Sequence, residues 1–139
     1  MSAAAAIQRA MYTRLDNDGP LAAAGFKVFD EAPDLSYDGS YIVLGDSTEA
    51  RGPGSHSGRV WEGTETLHLW YRGASSVAAK DALELVRSAL ESSPLNVAGH
   101  STMLVRYEFS TTLKEPGWRH LVIRFRVVTG SGLPPGYST

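Results

Sequence analysis

Two runs near the end of the chain decide the fold: TMLVRYEFSTTL at 102–113 and RHLVIRFRVV at 119–128. In the first, Met103, Val105, Tyr107, Phe109 and Leu113 are apolar at odd positions; in the second, Leu121, Ile123, Phe125 and Val127 are. A period of two is the mark of strands with one buried face. Lys114-Glu115-Pro116-Gly117 supplies a turn between them, so the two runs predict an antiparallel hairpin. A one-residue slip would move a whole side-chain set to the other face, so the expected register pairs odd with odd. One such register sets Glu108 opposite Arg124 and Arg106 opposite Arg126.

Working outward, Thr64 to Arg72 alternates in the same way, with Leu67, Leu69 and Tyr71 on one face and His68 and Trp70 on the other. Ser75 or Ser76 then offers an N-cap for a helix running to Ser92. Its expected apolar face is Ala78, Ala82, Leu85, Val86, Ala89 and Leu90. Leu95 to Val97 reads as one more short strand. Upstream, Ala3, Ile7, Ala10, Met11 and Leu15 form a helical stripe over 3–16. Asp16 to Pro20 stops that helix, and Leu21 to Gly25 is compatible with one more short turn. Lys27 to Asp30 and Tyr41 to Gly45 are strand candidates. The expected fold is α+β: a mostly antiparallel sheet packed against two helices on one face, in a single domain over 1–129. Residues 130–139, with Gly130, Gly132, Pro134, Pro135 and Gly136, read as an extended tail outside the core.

The segment 46–63 stands apart. It holds Gly52-Pro-Gly-Ser-His-Ser-Gly58 and little that could anchor a core, so it reads either as a long loop or as two strands extended into an arm. Its glycines lack the spacing of a phosphate-binding loop, and no helix follows them. The centre of Gly54-Ser-His-Ser-Gly58 is His56, where a nucleophile elbow needs serine.

The chain has 139 residues, enough for one domain to bury a core without staples, and no cysteine, which excludes disulfides and thiolate chemistry. Thirteen basic against fifteen acidic residues lack the basic excess of a dedicated nucleic-acid binder. The near-neutral balance also weakens the repulsion that keeps copies apart. The N-terminal apolar run ends at Gln8-Arg9, too short for a signal peptide or a membrane span, so a cytoplasmic site of synthesis and assembly is expected.

His56, His68, His100 and His120 show no metal-ligand spacing, and the carboxylates are scattered without an acid–base pairing. Arg106, Arg124 and Arg126 share the non-core face of the hairpin with His120 and Glu108, among Leu104, Val122 and Val128. A solvated sheet face accounts for such residues, but guanidinium groups mixed with aliphatics suit a protein interface better than DNA. Trp70 and Trp118, also off the core parity, point the same way.

The order of segments resembles the tail-terminator, or tail-completion, proteins of long-tailed phages and phage-like gene transfer agents. Tyr41-Ile-Val-Leu-Gly45 resembles the family's first core strand, and Glu65-Thr-Leu-His-Leu-Trp-Tyr-Arg72 the strand after its variable loop. Ala79 to Leu90 is similar to its long helix, and Phe109 to Arg126 to its closing hairpin. The resemblance implies a structural virion protein without catalytic residues, cofactor or metal. It implies a ring, typically of six copies, that caps the tail tube, meets the head-completion or neck stopper protein, and lets DNA pass through its lumen without touching a membrane. It further implies a particle, phage or gene transfer agent, assembled in the host cytoplasm, with this protein at the head-proximal end of the tail. A neck adaptor or minor tail protein of the same particle is the nearest alternative, and a small enzyme using His56 the distant one. The candidate assembly residues are Asp46, Glu49, Arg51, His56, Arg59, Trp61, Trp70, Trp118, Arg124 and Arg126.

Overall fold

The computed structural model describes residues 3–51 and 60–131. In chain order the elements are α1 (Ala3–Asp16), α2 (Gly19–Ala23), β1 (Lys27–Phe29), β2 (Tyr41–Arg51), β3 (Val60–Arg72), α3 (Ser76–Glu91), β4 (His100–Glu115) and β5 (Trp118–Ser131). The five strands make one sheet in the order β1-β2-β3-β5-β4. Short β1 runs parallel to β2, and every other neighbour is antiparallel. The sheet is therefore mixed at one edge only, and the α+β expectation holds.

The helices cover one face. α1 buries Ala3, Ala6, Ile7, Met11 and Leu15, the expected stripe with Ala6 in place of half-buried Ala10. α3 starts where Ser75 Oγ accepts from the Ala78 N–H at 3.0 Å. It buries Ala79, Ala82, Leu83, Val86, Ala89 and Leu90, with Ala78 and Leu85 of the expected face half-buried at its edge. Against these helices lie Ile42, Leu44, Leu67, Leu69, Leu121, Ile123, Phe125 and Val127. Each such side chain contributes about 1.5–3 kcal/mol on leaving water. Arg14 ties the two long helices together: its guanidinium donates to the carbonyls of Ala89 at 2.9 Å, Ser93 at 3.2 Å and Pro94 at 2.8 Å. Those carbonyls sit at and beyond the end of α3, where backbone acceptors lack helical partners.

Several local expectations are refined or corrected. The short turn expected from Leu21 is a five-residue helix, α2, that starts two residues earlier, because Asp18 both follows α1 and caps the next helix through the Leu21 N–H at 3.0 Å, with Pro20 in the first turn. Leu95 and Val97 form no strand; they are buried and plug the core as a connecting segment. The 46–63 segment takes the arm form at both ends: Ser47 to Arg51 pair with Glu65 to Trp61. β5 likewise runs to Ser131, two residues into the segment read as tail.

A further correction concerns the hairpin. Odd pairs with odd only between Leu104 and Tyr107, where Arg106 does face Arg126. Extra residues at Met103 and Glu108 shift the register on either side. Beyond the Glu108 bulge, Phe109 faces Arg124 and Leu113 faces His120. The apolar set of β4 thus divides. Val105 and Tyr107 pack on the core, whereas Phe109 and Leu113 stand exposed on the helix-free face. One inserted residue reverses the alternation of everything after it.

Candidate assembly face

The helix-free face of the sheet carries two side-chain groups, and alternation places both. On β3, Leu67 and Leu69 point to the helices, so His68 and Trp70 point away. On β5, Leu121 and Ile123 point in, so Trp118, His120, Arg124 and Arg126 point out.

Toward β1 lies an aromatic group. The ring of Trp70 stacks on that of His120, with centroids 3.8 Å apart and planes at 10°. Tyr41 stacks on Trp70 at 6.1 Å, and Trp118 meets Trp70 edge-on at 6.1 Å. Tyr37 and Phe29 extend the group with edge contacts of 5.3–5.8 Å. Edge-to-face geometry is what the ring quadrupole favours. His68 Nδ1 lies 2.8 Å from His120 Nε2, so one ring donates a proton to the other. These two nitrogens bond each other instead of converging on a common ion. Burial first, and His68 second, push His120 down to about 4, so it is neutral at physiological pH. Its 3.8 Å approach to a Glu115 carboxylate oxygen is accordingly not an ion pair there.

Toward β4 lies an ionic group that the Glu108 bulge creates. Glu108 accepts from Arg124 Nε at 2.9 Å with one oxygen and from Arg126 Nε at 2.7 Å with the other. Arg126 also bonds Glu62 on β3. The hydrogen bond from Arg126 leads the causes that hold the Glu108 carboxyl below its usual range, and Arg124 adds to it. The Arg124 guanidinium lies 4.4 Å from the centre of the Phe109 ring, a cation–π contact. Pairs this exposed contribute about 0–1 kcal/mol to stability, so the network's main effect is to fix the guanidinium groups in place.

The arm extends the sheet beyond these groups. Thr48 and Thr64 join through their hydroxyls at 2.7 Å, and Glu49 accepts from the Ala4 N–H in the first turn of α1 at 3.2 Å. Gly63 passes so close to β2 that a β-carbon there would stand 2.2 Å from the Thr48 carbonyl oxygen. At the base of the arm Glu65 is buried on the helix side, and burial pushes its carboxyl up to about 8. It is therefore largely protonated at neutral pH.

Of the candidate residues, the structure brings Trp70 to Trp118, and Arg124 to Arg126 through Glu108. Asp46 and Glu49 are exposed on the arm. Trp61 falls on the other face, half-buried against the core and paired with Thr129. The side chain of Arg51, and His56 and Arg59 entirely, lie outside the described residues. Sequence reasoning left Glu62 out of the candidate set, and missed Phe109 and Leu113 as surface residues. A bulge leaves no mark in an alternating pattern; the one available signal was the like-charge Arg106–Arg126 pairing, which calls for a carboxylate nearby. Among the described residues no group of three metal-ligating side chains occurs, and no helix is long and apolar enough to cross a membrane.

A family model described as tail completion protein gp17 matches residues 9–130. Among solved structures, a chain of the virion of a native gene transfer agent particle is similar at a TM-score of 0.76 and 22% identity, over 94% of this chain and 98% of that one. The gp17 protein of bacteriophage SPP1 is similar at a TM-score of 0.58 and 21% identity, over 98% of this chain and 94% of that one. At these identities both likenesses speak for the fold. No curated protein sequence matches significantly.

Proposed function

The chain belongs to the tail completion protein gp17 family, a structural family of phage-type tails, and on that premise we propose that it is the terminator that closes a tail. Six copies form a ring on the last ring of the tail tube, at the head-proximal end, and present a new surface to the neck stopper protein. DNA crosses the lumen in transit. The mechanism is steric and interfacial, with no bond made or broken. A cyclic ring uses heterologous contacts, one patch meeting a different one, and closes when the rotation divides the circle. The unit is the single α+β domain, carried by β5 to Ser131, with the candidate residues of the arm and the helix-free face as its contacts.

The observation that carries this reading is the family match over nearly the whole chain, from within α1 to the end of β5. The helix-free face supports it. Ordered guanidinium groups beside exposed aromatic and aliphatic side chains have the mixed character of an interface. The formal net charge of −2 suits a lumen wall that DNA must slide past. The test is to add purified protein to tail tubes and to image tubes made without it. Expected are overlong or headless tubes in its absence and a cap at one end when it is restored. Tubes of normal length that join heads without the protein would sink the reading.

A further inference from the structure

The sheet ends on β4, which pairs with β5 alone, so the backbone groups of β4 that face away from β5 meet no strand. An open edge of this kind is a template for another chain, and natural sheets blunt it. Here the edge is long: β4 runs for 16 residues without a proline, and Leu104, Phe109 and Leu113 stand exposed along it.

One backbone group of that edge is taken, and not by a strand. The Tyr107 N–H, just before the Glu108 bulge, donates to Glu91 Oε2 at 2.8 Å. Glu91 is the last residue of α3, and the end of that helix borders a shallow cleft with Leu104 and Val105 of β4. Arg87, one turn earlier, holds the carboxylate from behind. Its Nε donates to Glu91 Oε1 at 3.3 Å, and its guanidinium lies 4.4 Å from the centre of the Tyr107 ring. One carboxylate oxygen is thus fixed by the helix and the other is set on the edge. Water alone would satisfy an edge amide. A tethered carboxylate does what water does not: it stays when another strand arrives, and it meets that strand's carbonyl oxygens with like charge.

We propose that Glu91, held by Arg87, guards the open edge of the sheet, and that the strand it turns away is β4 of a second copy. The other edge is a poorer partner, since β1 covers β2 from Tyr41 to Val43 and the rest of β2 carries exposed Asp46 and Glu49. Two β4 edges would meet antiparallel about a two-fold axis normal to the sheet, which reverses strand direction and leaves both helix-free faces on one side. The exposed apolar rows would then adjoin. The Tyr107 amide of each copy, near the middle of its strand, would have to pair across the seam. With Glu91 in place that amide is occupied, and a carboxylate stands in the seam from either side. The guard acts on the free chain, before any template is met, and does not depend on the terminator reading.

The test uses the full chain without tubes. Glu91→Ala should form dimers at about tenfold lower concentration than the wild type, read by sedimentation. In its dilute monomer the Tyr107 amide should exchange hydrogen faster than in the wild type. At dimerising concentrations the amides from Leu104 to Leu113 should be slowed. Arg87→Met, which leaves the carboxylate unheld, should shift dimerisation in the same direction by less, and it decides the matter if Glu91→Ala does not fold. Adding Phe109→Lys to Glu91→Ala sets like charges against each other across the seam and should return the monomer. If the variants sediment as the wild type at every concentration, the bond is a local cap on one amide and the inference falls. Association without slowing over 104–113 overturns it as well, because another surface is then responsible. An open-ended series of oligomers does the same, since a two-fold contact closes at two.

Discussion

The two faces of the sheet are built to different rules from the same strands. The helix side is monotonous: Leu67, Leu69, Leu121, Ile123, Phe125 and Val127 are all fully buried, and their alternation along β3 and β5 is unbroken. The other side is heterogeneous, with stacked aromatic rings at one end, a network of glutamate and arginine at the other, and exposed Phe109 and Leu113 beyond it. Stability resides in the first face, where apolar area leaves water. The second contributes less to folding and more to what the folded chain can touch. Edge strand β4 passes from one regime to the other within its own length, at Glu108.

The sharpest way to break that contrast is Phe125→Ala. It empties the centre of the helix side and should cost about 3–5 kcal/mol, read as a fall in the denaturant midpoint. Next in size is Glu65→Gln, which should stabilise. Folded Glu65 keeps its proton up to about 8, while the unfolded carboxyl releases it near the ordinary 4.5. Between those values the folded state binds more protons, so stability falls as pH rises through that window. Replacing the carboxyl should return about 2–4 kcal/mol at pH 8 and little at pH 4.5. His120 has the opposite sign. Its folded value is about 4 against 6.5, so its contribution is present above 6.5 and lost as pH falls toward 4. The two slopes oppose each other between 4.5 and 6.5, which predicts a nearly flat melting temperature there and a decline from 6.5 to 8. A His120→Gln variant should uncover the Glu65 slope over the whole range.

Smaller again is Gly63→Val. The new side chain meets the Thr48 carbonyl oxygen, so the arm must splay, at a cost of about 1–3 kcal/mol. Hydrogen exchange should quicken between Ser47 and Arg51 while α3 stays protected. The smallest effect on folding is expected from Phe109→Ser, within about 1 kcal/mol because the ring is already exposed. Its consequence should appear in assembly on tubes, and a loss of stability as large as that of Phe125→Ala would erase the distinction between the faces.

The helix side was legible before any coordinates because burial imposes a period, and a period is what a sequence displays. The stripes of α1, β3 and β5, and the Ser75 cap, could all be read from spacing alone. β4 could not, since its bulges at Met103 and Glu108 depend on how β5 and its side chains receive it. The same holds for Leu95 and Val97, whose apolar character signalled burial without saying in what conformation. On the other face, the arginines and tryptophans were identifiable as off the core parity. Their grouping was not, because Glu62, Glu108 and Arg126 come from three strands and meet only across the sheet.

The strand order has a consequence for the timing of synthesis. β5, the last of the five in chain order, lies between β3 and β4, and both must wait for it. Until it leaves the ribosome, the nascent chain holds two open edges and a helix, α3, with half its bed missing. A chain cut short before Trp118 would therefore carry β4 with no strand to join it to β3, and Phe109 and Leu113 would have no fixed place on the sheet. Completing the polypeptide and becoming competent to join its neighbours are, by this topology, one event.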